Sequence, residues 1–120
     1  DPKSKNWWLK YSDEAVGYWP TSIFKDLYTA AVINWGGSVG LSSGGGARHS
    51  TTEMGNGHYP HEGYTRSAYV SGAQYRGYDS KDYWPYEAYF SKDKPNCYDS
   101  LDYGMGYFDR PGRTFFFGGD

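Results

Sequence analysis

The sequence Asn6-Trp7-Trp8-Leu9-Lys10-Tyr11 carries three aromatic rings in six residues, and this density predicts a β-strand near the start of the chain. A second strand is predicted at Val16-Gly17-Tyr18-Trp19, and Pro20 ends it because proline cannot donate to a strand ladder. Successive side chains of a strand point to opposite faces, so of Trp7 and Trp8 we expect one to be buried and the other to face out or into a cleft. Together the two segments predict a short hairpin.

The composition extends this prediction to the whole chain. The 120 residues are the usual number for one domain, and they include 17 Gly, 5 Trp, 14 Tyr and 6 Phe. A core built from these residues must consist largely of aromatic rings. Such a composition suits short strands joined by tight turns better than long helices, so we expect a single all-β domain over residues 1–120.

Further segments with strand character follow, separated by Gly, Pro, Asp and Lys. They are Ala30–Trp35, Ser38–Leu41, Arg48–Met54, Tyr64–Val70, Ala73–Tyr78, Tyr86–Phe90, Ser100–Phe108 and Arg113–Phe117. Gly55-Asn56-Gly57 is a strong turn signal, and the Ser-Ser-Gly-Gly-Gly stretch at 42–46 predicts a surface loop. Regular short strands with turns between them predict a sandwich or a barrel.

One short helix is predicted, at Ser22–Thr29. Its apolar residues gather on one helical face behind a Ser or Thr cap; they are Ile23, Phe24, Leu27 and Tyr28.

Charge and hydropathy exclude two classes of partner from our expectations. The net charge is −2 with acids and bases interspersed, so no basic stripe is present to bind nucleic acid. No apolar run approaches the roughly 20 residues that span a bilayer, so we expect no membrane association. Cys97 is the only cysteine; a free thiol, a bond to another chain and a bond to a segment absent here all stay open.

Five motifs occur in a fixed order along the chain. They are Asn6-Trp7-Trp8-Leu9, Val16-Gly17-Tyr18-Trp19-Pro20, Phe24 with Leu27, Trp35-Gly36-Gly37, and Met54-Gly55-Asn56-Gly57. In this order they resemble the C-terminal half of the neprosin family of plant proteins. The likeness continues through Ala68-Tyr69, Asn96-Cys97-Tyr98-Asp99 and Thr114-Phe115-Phe116-Phe117-Gly118-Gly119, so it covers nearly the whole chain.

The resemblance implies a secreted plant protein, extracellular or vacuolar, processed from a longer precursor; the start at Asp1 fits that expectation. It implies an antiparallel two-sheet β-sandwich of the glutamic-peptidase or jelly-roll type, of which residues 1–120 would be the C-terminal half. In its active members it implies a peptidase that cuts beside proline with two glutamates. The family usually also has a last cysteine that could partner Cys97.

The resemblance also indicates that catalysis is lost. In the family the second glutamate directly follows the Trp-Gly-Gly motif, and this position is Ser38 here, whose hydroxyl cannot act as a base near neutral pH. The first glutamate lies in the N-terminal half. The reaction needs one ionised carboxyl to activate water and a second to donate a proton. We therefore predict no catalytic residue in this chain.

A ligand site is predicted from the aromatic rings and the two glycines of the Trp-Gly-Gly motif. Gly36 and Gly37 let a ligand backbone approach beside Trp35, and exposed rings can stack on a sugar or on the proline of a peptide. The predicted ligand-binding residues are Trp35, Gly36, Gly37, Ser38, Trp8 and Trp19. The alternative is that the rings simply form the core.

Polar clusters give no further site. Side chains that in principle bind zinc lie close in sequence, but turn residues and Pro60 separate them; they are His49, Glu53, His58, His61 and Glu62. We interpret them as polar loop residues and predict neither a metal nor a cofactor. A serine-hydrolase triad at Ser38 is disfavoured because no G-x-S-x-G elbow surrounds it.

These observations favour a non-catalytic module that binds peptide or carbohydrate. One alternative is that the chain is part of a processed two-chain glutamic prolyl endopeptidase whose carboxylates lie partly on a companion chain. Another is a seed storage or defence protein. An open sheet edge with exposed rings is a template for association, so we expect either a companion N-terminal chain or self-association.

Overall fold

The computed structural model describes residues 1–40, 51–92 and 94–120, and these residues form antiparallel sheets. The strands are β1 (Trp7–Tyr11), β2 (Glu14–Trp19), β3 (Ala68–Ala73), β4 (Tyr75–Arg76), β5 (Asp82–Tyr83), β6 (Tyr98–Met105) and β7 (Arg113–Gly119). Single 3-10 turns lie at Thr21–Ile23, Pro60–Glu62 and Tyr107–Asp109. The predicted all-β class is confirmed. No helix within the described ranges has the length and hydropathy to cross a membrane.

The strands belong to two compact units. The hairpin unit comprises Asp1–Asn34 and Tyr75–Tyr83, and it contains the two-stranded sheets β1-β2 and β4-β5. The sheet unit comprises the described parts of Trp35–Gln74 and Trp84–Asp120, and its strand order is β3-β7-β6. The face-to-face sandwich and the single domain stay predictions.

The first hairpin closes through a two-residue turn. Tyr11 pairs with Glu14, and both intervening residues, Ser12 and Asp13, have positive φ angles of 47° and 69°. Turns with two left-handed residues match the twist of the strands they connect, which explains this tight reversal. Within β1, Trp7 is half-buried and its neighbour Trp8 is 47% exposed, so neither ring is buried as predicted, although Trp7 is the less exposed of the two.

The core of the sheet unit is built on its central strand, β7. Phe115 is 6% exposed and Phe116 is fully buried, because β3 and β6 pair along both edges of β7. At its end, Gly119 has a φ of 139°, and a Cβ there would overlap the carbonyl oxygen of Cys97. Glycine is therefore required for the close pairing of β7 with β6.

The predicted two-turn helix at Ser22–Thr29 is wrong in extent. The segment forms one 3-10 turn, and Phe24 is already extended, with φ −111° and ψ 126°. The apolar side chains remain open, since Ile23 is 60% exposed and Tyr28 72% exposed. Without burial of an apolar face, nothing offsets the cost of helix nucleation.

Several predicted strands are also wrong because their segments have no hydrogen-bonded neighbour. Ala30–Trp35, residues 38–40 and Tyr86–Phe90 are not strands, and Met54 forms only an isolated bridge to Gly119. Strands are stabilised by cross-strand pairs, so strand-like composition alone is insufficient. Leu41, the loop at 42–46, His49 and the start of Arg48–Met54 lie outside the described residues.

Other strands are shifted from the predicted boundaries. β3 begins at Ala68 because Gly63–Ser67 form a turn, in which the Ser67 main-chain N–H donates to the Gly63 carbonyl at 3.0 Å. The predicted strand Ala73–Tyr78 is divided between the end of β3 and β4. The predicted strand Ser100–Phe108 starts earlier and stops at Met105, after which Gly106 adopts a left-handed conformation.

Candidate functional site

The Trp-Gly-Gly-Ser segment of the sheet unit exposes its backbone. Trp35 is half-buried, whereas Gly36, Gly37 and Ser38 are exposed. Gly36 has a φ of 146°, a conformation that favours glycine, and a Cβ at this position would meet no atom within 4 Å. The space beside Gly36 is therefore open to an incoming chain.

Gly37 fixes the position of this segment on the sheet. A Cβ on Gly37 would lie 2.5 Å from Met54 Cγ and 3.2 Å from Phe117 Cδ2. Because glycine has no side chain, the backbone passes directly over these two residues. The structure thus brings the Trp-Gly-Gly motif together with the Met-Gly-Asn-Gly motif and the end of β7.

Trp8 and Trp19, the two predicted ligand-binding residues of the first hairpin, do not form one surface. Trp7 pairs with Trp19 and Trp8 pairs with Tyr18, so Trp8 and Trp19 point to opposite faces of the hairpin. On one face Trp8 stacks on Tyr18 with ring centroids 4.7 Å apart. On the other, Trp7 Nε1 donates a hydrogen bond to the Leu27 carbonyl at 3.0 Å. Both tryptophans belong to the hairpin unit, and the Trp35–Ser38 segment belongs to the sheet unit.

An aromatic cluster on the sheet unit was not predicted. The pairing register places Tyr69 and Leu101 beside Phe116 on one face, and a group of rings covers that face. Its members are Tyr64, Tyr69, Tyr103, Tyr107, Phe108 and Phe116. Phe116 is fully buried beneath them, so the cluster is first of all a small core. The sequence could not locate it because strand register decides which rings meet.

His58 and Glu62, which the sequence analysis interprets as polar loop residues, form a polar cluster with Arg66. His58 Nδ1 lies 2.9 Å from Glu62 Oε2, and Arg66 lies 3.6 Å from the same oxygen. The Tyr59 main-chain N–H donates to Glu62 Oε1 at 2.9 Å. The spacing of His58 and Glu62, four residues apart, was the available signal. Within the described residues no group of three His, Cys, Asp or Glu side chains is arranged to hold a metal.

A family comparison matches this chain along its full length. The profile of the Neprosin family aligns with residues 1–120. The chain belongs to the Neprosin family. The resemblance expected from the five ordered motifs is therefore confirmed, and two of those motifs meet at Gly37. No solved structure matches the chain.

Among the described residues of this neprosin-family chain, four carboxyls have shifted pKa values, and all four shifts are downward. The Tyr59 N–H and the His58 ring lower the pKa of Glu62, and the Tyr83 hydroxyl, 2.7 Å away, lowers that of Asp79. Ion pairs lower the pKa values of the other two carboxyls: Asp82 pairs with Arg76, and Asp99 pairs with Lys92. These carboxyls stay ionised near neutral pH, so chemically they accept hydrogen bonds and do not donate protons.

Proposed function

We propose that this neprosin-family chain is a non-catalytic member that binds peptide at the Trp35–Ser38 segment without cleaving it. By the resemblance, Ser38 stands where active relatives carry a glutamate. A glutamic peptidase needs one carboxyl as base and one with a raised pKa as acid. Four carboxyls in the described ranges have altered pKa values, and the downward shift of each supports the proposal, because none of these four suits the acid role.

The observation that carries the binding proposal is the open backbone at Gly36. The exposed main chain of residues 36–38 offers N–H and C=O groups to an extended peptide, as sheet edges do when they bind an additional strand. Trp35 directly precedes this main chain and is half-buried, and its indole would supply an apolar surface for one side chain of the ligand. Proline-containing peptides are the first candidates, because active relatives cut beside proline.

Secretion belongs to the same proposal. We expect processing from a longer precursor in a plant and delivery to the extracellular space or vacuole, as the resemblance implies. Recovery of the processed chain from apoplastic or vacuolar fluid supports this part, and recovery from the cytosol alone contradicts it.

Calorimetric titration with proline-containing peptides tests binding. Ser38→Tyr adds a bulky ring to the exposed segment and is expected to weaken binding at least about tenfold, which corresponds to about 1.4 kcal/mol. Ser22→Tyr is the matched control, since Ser22 is also exposed but lies in the hairpin unit. Equal losses in both variants, or no binding by the wild type, would overturn the binding proposal.

The absence of catalysis needs a separate assay. The wild-type chain is incubated with casein and with the same peptides from acidic to neutral pH, and no cleavage is expected. Cleavage that disappears when one carboxylate of this chain is changed to its amide contradicts the proposal. That outcome favours the peptidase alternative.

A further inference from the structure

Two main-chain segments lie next to each other on one face of β7. Phe115 and Phe117 alternate along this strand, so their rings point to the same face, with centroids 6.1 Å apart. Gly37 of the candidate binding segment lies against Phe117, since a Cβ on Gly37 would stand 3.2 Å from Phe117 Cδ2. The neighbouring ring, Phe115, packs edge-on against Phe90, with centroids 5.8 Å apart. A peptide that continues from Gly37 along β7 towards Phe115 therefore meets Phe90.

The segment that ends at Phe90 is held on the sheet by a side chain. We call this segment, Trp84–Phe90, the strap. It is not a strand, and none of its main-chain N–H groups donates to the main chain of any described residue. Instead, Arg113 Nε donates to the Pro85 carbonyl at 3.1 Å, and a terminal nitrogen of Arg113 donates to the Tyr86 carbonyl. Arg113 thus binds the carbonyls of a proline and of the residue that follows it.

The strap is only weakly fixed in this position. Trp84 Nε1 is buried without a hydrogen-bond partner in the described part of the chain, and so is the hydroxyl of Ser100, which pairs with Phe117. A buried donor without an acceptor destabilises the arrangement that buries it. The Tyr86 and Tyr89 side chains contribute little burial, since they are 72% and 99% exposed. Segments with few buried contacts and few main-chain hydrogen bonds are among the first to open locally.

Release of the strap would leave Arg113 with unpaired donors. Its side chain is mostly buried, and Asp102 is the one acceptor that stays on the sheet. A guanidinium has five N–H donors in a fixed planar arrangement, and poorly solvated donors need acceptors. The acceptors that this arrangement already fits are two consecutive peptide carbonyls. The vacated position therefore suits the main chain of another proline-containing peptide.

We propose that the strap is an autoinhibitory segment, which occupies the position beside Trp35–Ser38 that a bound proline-containing peptide takes. The incoming peptide displaces the strap and accepts the hydrogen bonds of Arg113 in its place. This regulation rests on the proposed function, because the same peptide is bound at Trp35–Ser38. Since the strap belongs to the same chain, its effective concentration is high, and a free peptide binds only the molecules in which the strap is released.

Calorimetric titration of the whole chain with a peptide copy of residues 84–90, acetylated and amidated at its ends, tests the displacement. Phe90→Ala removes the ring that holds the strap on Phe115, and it should raise the affinity for the peptide at least about threefold, because more molecules have a released strap. Tyr89→Ala is the matched control and should leave the affinity unchanged, since this ring is exposed. Phe90→Leu is the milder variant if thermal unfolding shows that Phe90→Ala does not fold.

Two altered peptides test the role of Arg113. In the first, a methylene replaces the carbonyl of the proline, and in the second the same change is made at the alanine. The first change removes an acceptor of Arg113 and should weaken binding at least about tenfold relative to the second. In Arg113→Lys the two altered peptides should bind alike, because a lysine does not provide the planar pair of donors.

Unchanged affinity in the Phe90 variants overturns the proposal, and so does equal binding of the two altered peptides by the wild type. If Ser38→Tyr abolishes binding while the Phe90 variants have no effect, the peptide site stands and the strap has no regulatory role. If the Phe90 variants gain affinity and Ser38→Tyr binds fully, the strap is displaced but the site does not include Ser38. Absence of binding by the wild type and by the Phe90 variants overturns both the site and its regulation.

Discussion

Gly37 lies directly against the side chain of Met54, so that a Cβ on Gly37 would stand 2.5 Å from Met54 Cγ and 2.9 Å from its Sδ. The contact joins two sequence motifs that are separated by 16 intervening residues. Met54 is itself fixed to the sheet by its bridge to Gly119, with a main-chain hydrogen bond of 2.8 Å. The candidate binding segment thus rests on the end of β7.

Gly37→Ala should therefore destabilise the chain by about 1–3 kcal/mol, the usual cost of adding atoms to a filled space. Gly40→Ala is the control, because a Cβ at Gly40 meets no atom within 4 Å. Urea unfolding measures both. In a Met54→Ala background the cost of Gly37→Ala should fall, because the colliding side chain is gone. Equal effects at Gly37 and Gly40 contradict the contact.

Phe116→Ala should cost about 3–5 kcal/mol, since it removes a fully buried ring from the aromatic cluster and leaves a cavity. Tyr69, Tyr103 and Phe108 would each lose a neighbouring ring. Tyr89→Ala removes a ring that is 99% exposed and should change little. Denaturant unfolding followed by near-ultraviolet circular dichroism distinguishes them. Phe116→Leu provides a milder variant if Phe116→Ala does not fold.

Two arginine–aspartate pairs should differ in their contributions to stability. The Arg113 side chain is 13% exposed, and besides its ion pair with Asp102 it donates to the Pro85 carbonyl at 3.1 Å and to the Tyr86 carbonyl. Asp102→Asn should cost about 1.5–3 kcal/mol, because a hydrogen bond to a poorly solvated charge is weakened. The Arg76–Asp82 pair makes two hydrogen bonds but is about half exposed.

Because the Arg76–Asp82 pair is about half exposed, water screens its charges, and Asp82→Asn should have little effect on the free energy of unfolding. Unfolding curves in low and high salt check both pairs. A larger loss for Asp82→Asn than for Asp102→Asn would show that exposure does not govern the ranking.

Glu62 should make stability depend on pH in acid. The Tyr59 N–H and the His58 ring hold the pKa of Glu62 below its ordinary value of 4.5. Glu62 therefore stabilises the fold fully at pH values above 4.5, its pKa in the unfolded chain. This stabilisation is lost as the pH falls through the lower pKa of the folded state. Glu62→Gln should reduce stability at neutral pH and flatten the acid part of the profile.

Thermal unfolding at a series of pH values from neutral to acidic measures this difference. Glu87→Gln, at an exposed position, is the control and should retain the wild-type slope. A Glu62→Gln profile parallel to that of the wild type throughout would refute the linkage.

Local patterns in the sequence predicted the features that depend on neighbouring residues. The dense aromatic run at Asn6–Tyr11 became β1, the Gly55–Gly57 signal became a turn, and Arg113–Phe117 lies within β7. In each case the deciding interactions involve side-chain alternation or backbone conformation over a few residues. The family resemblance belongs here too, since ordered motifs are a property of the sequence.

Other features depended on partners that the sequence does not name. Ile23 and Leu27 have helical spacing, but no packed surface buries them, and so no helix forms over Ser22–Thr29. Tyr86–Phe90 has strand composition, yet no neighbouring strand pairs with it. The pairing of His58 with Glu62 required the 3-10 turn at Pro60–Glu62 to bring the two side chains together.

By itself the sequence determined the all-β class, the family and the serine at position 38, because composition, period and motif order are written in the chain. Only the tertiary structure decided that Trp8 and Trp19 lie on opposite faces, that Gly37 lies over Met54, and that Phe116 is enclosed by rings. The physical reason is strand register. A shift of one residue reverses every side chain of a strand, and register is set by contacts between segments far apart in the sequence.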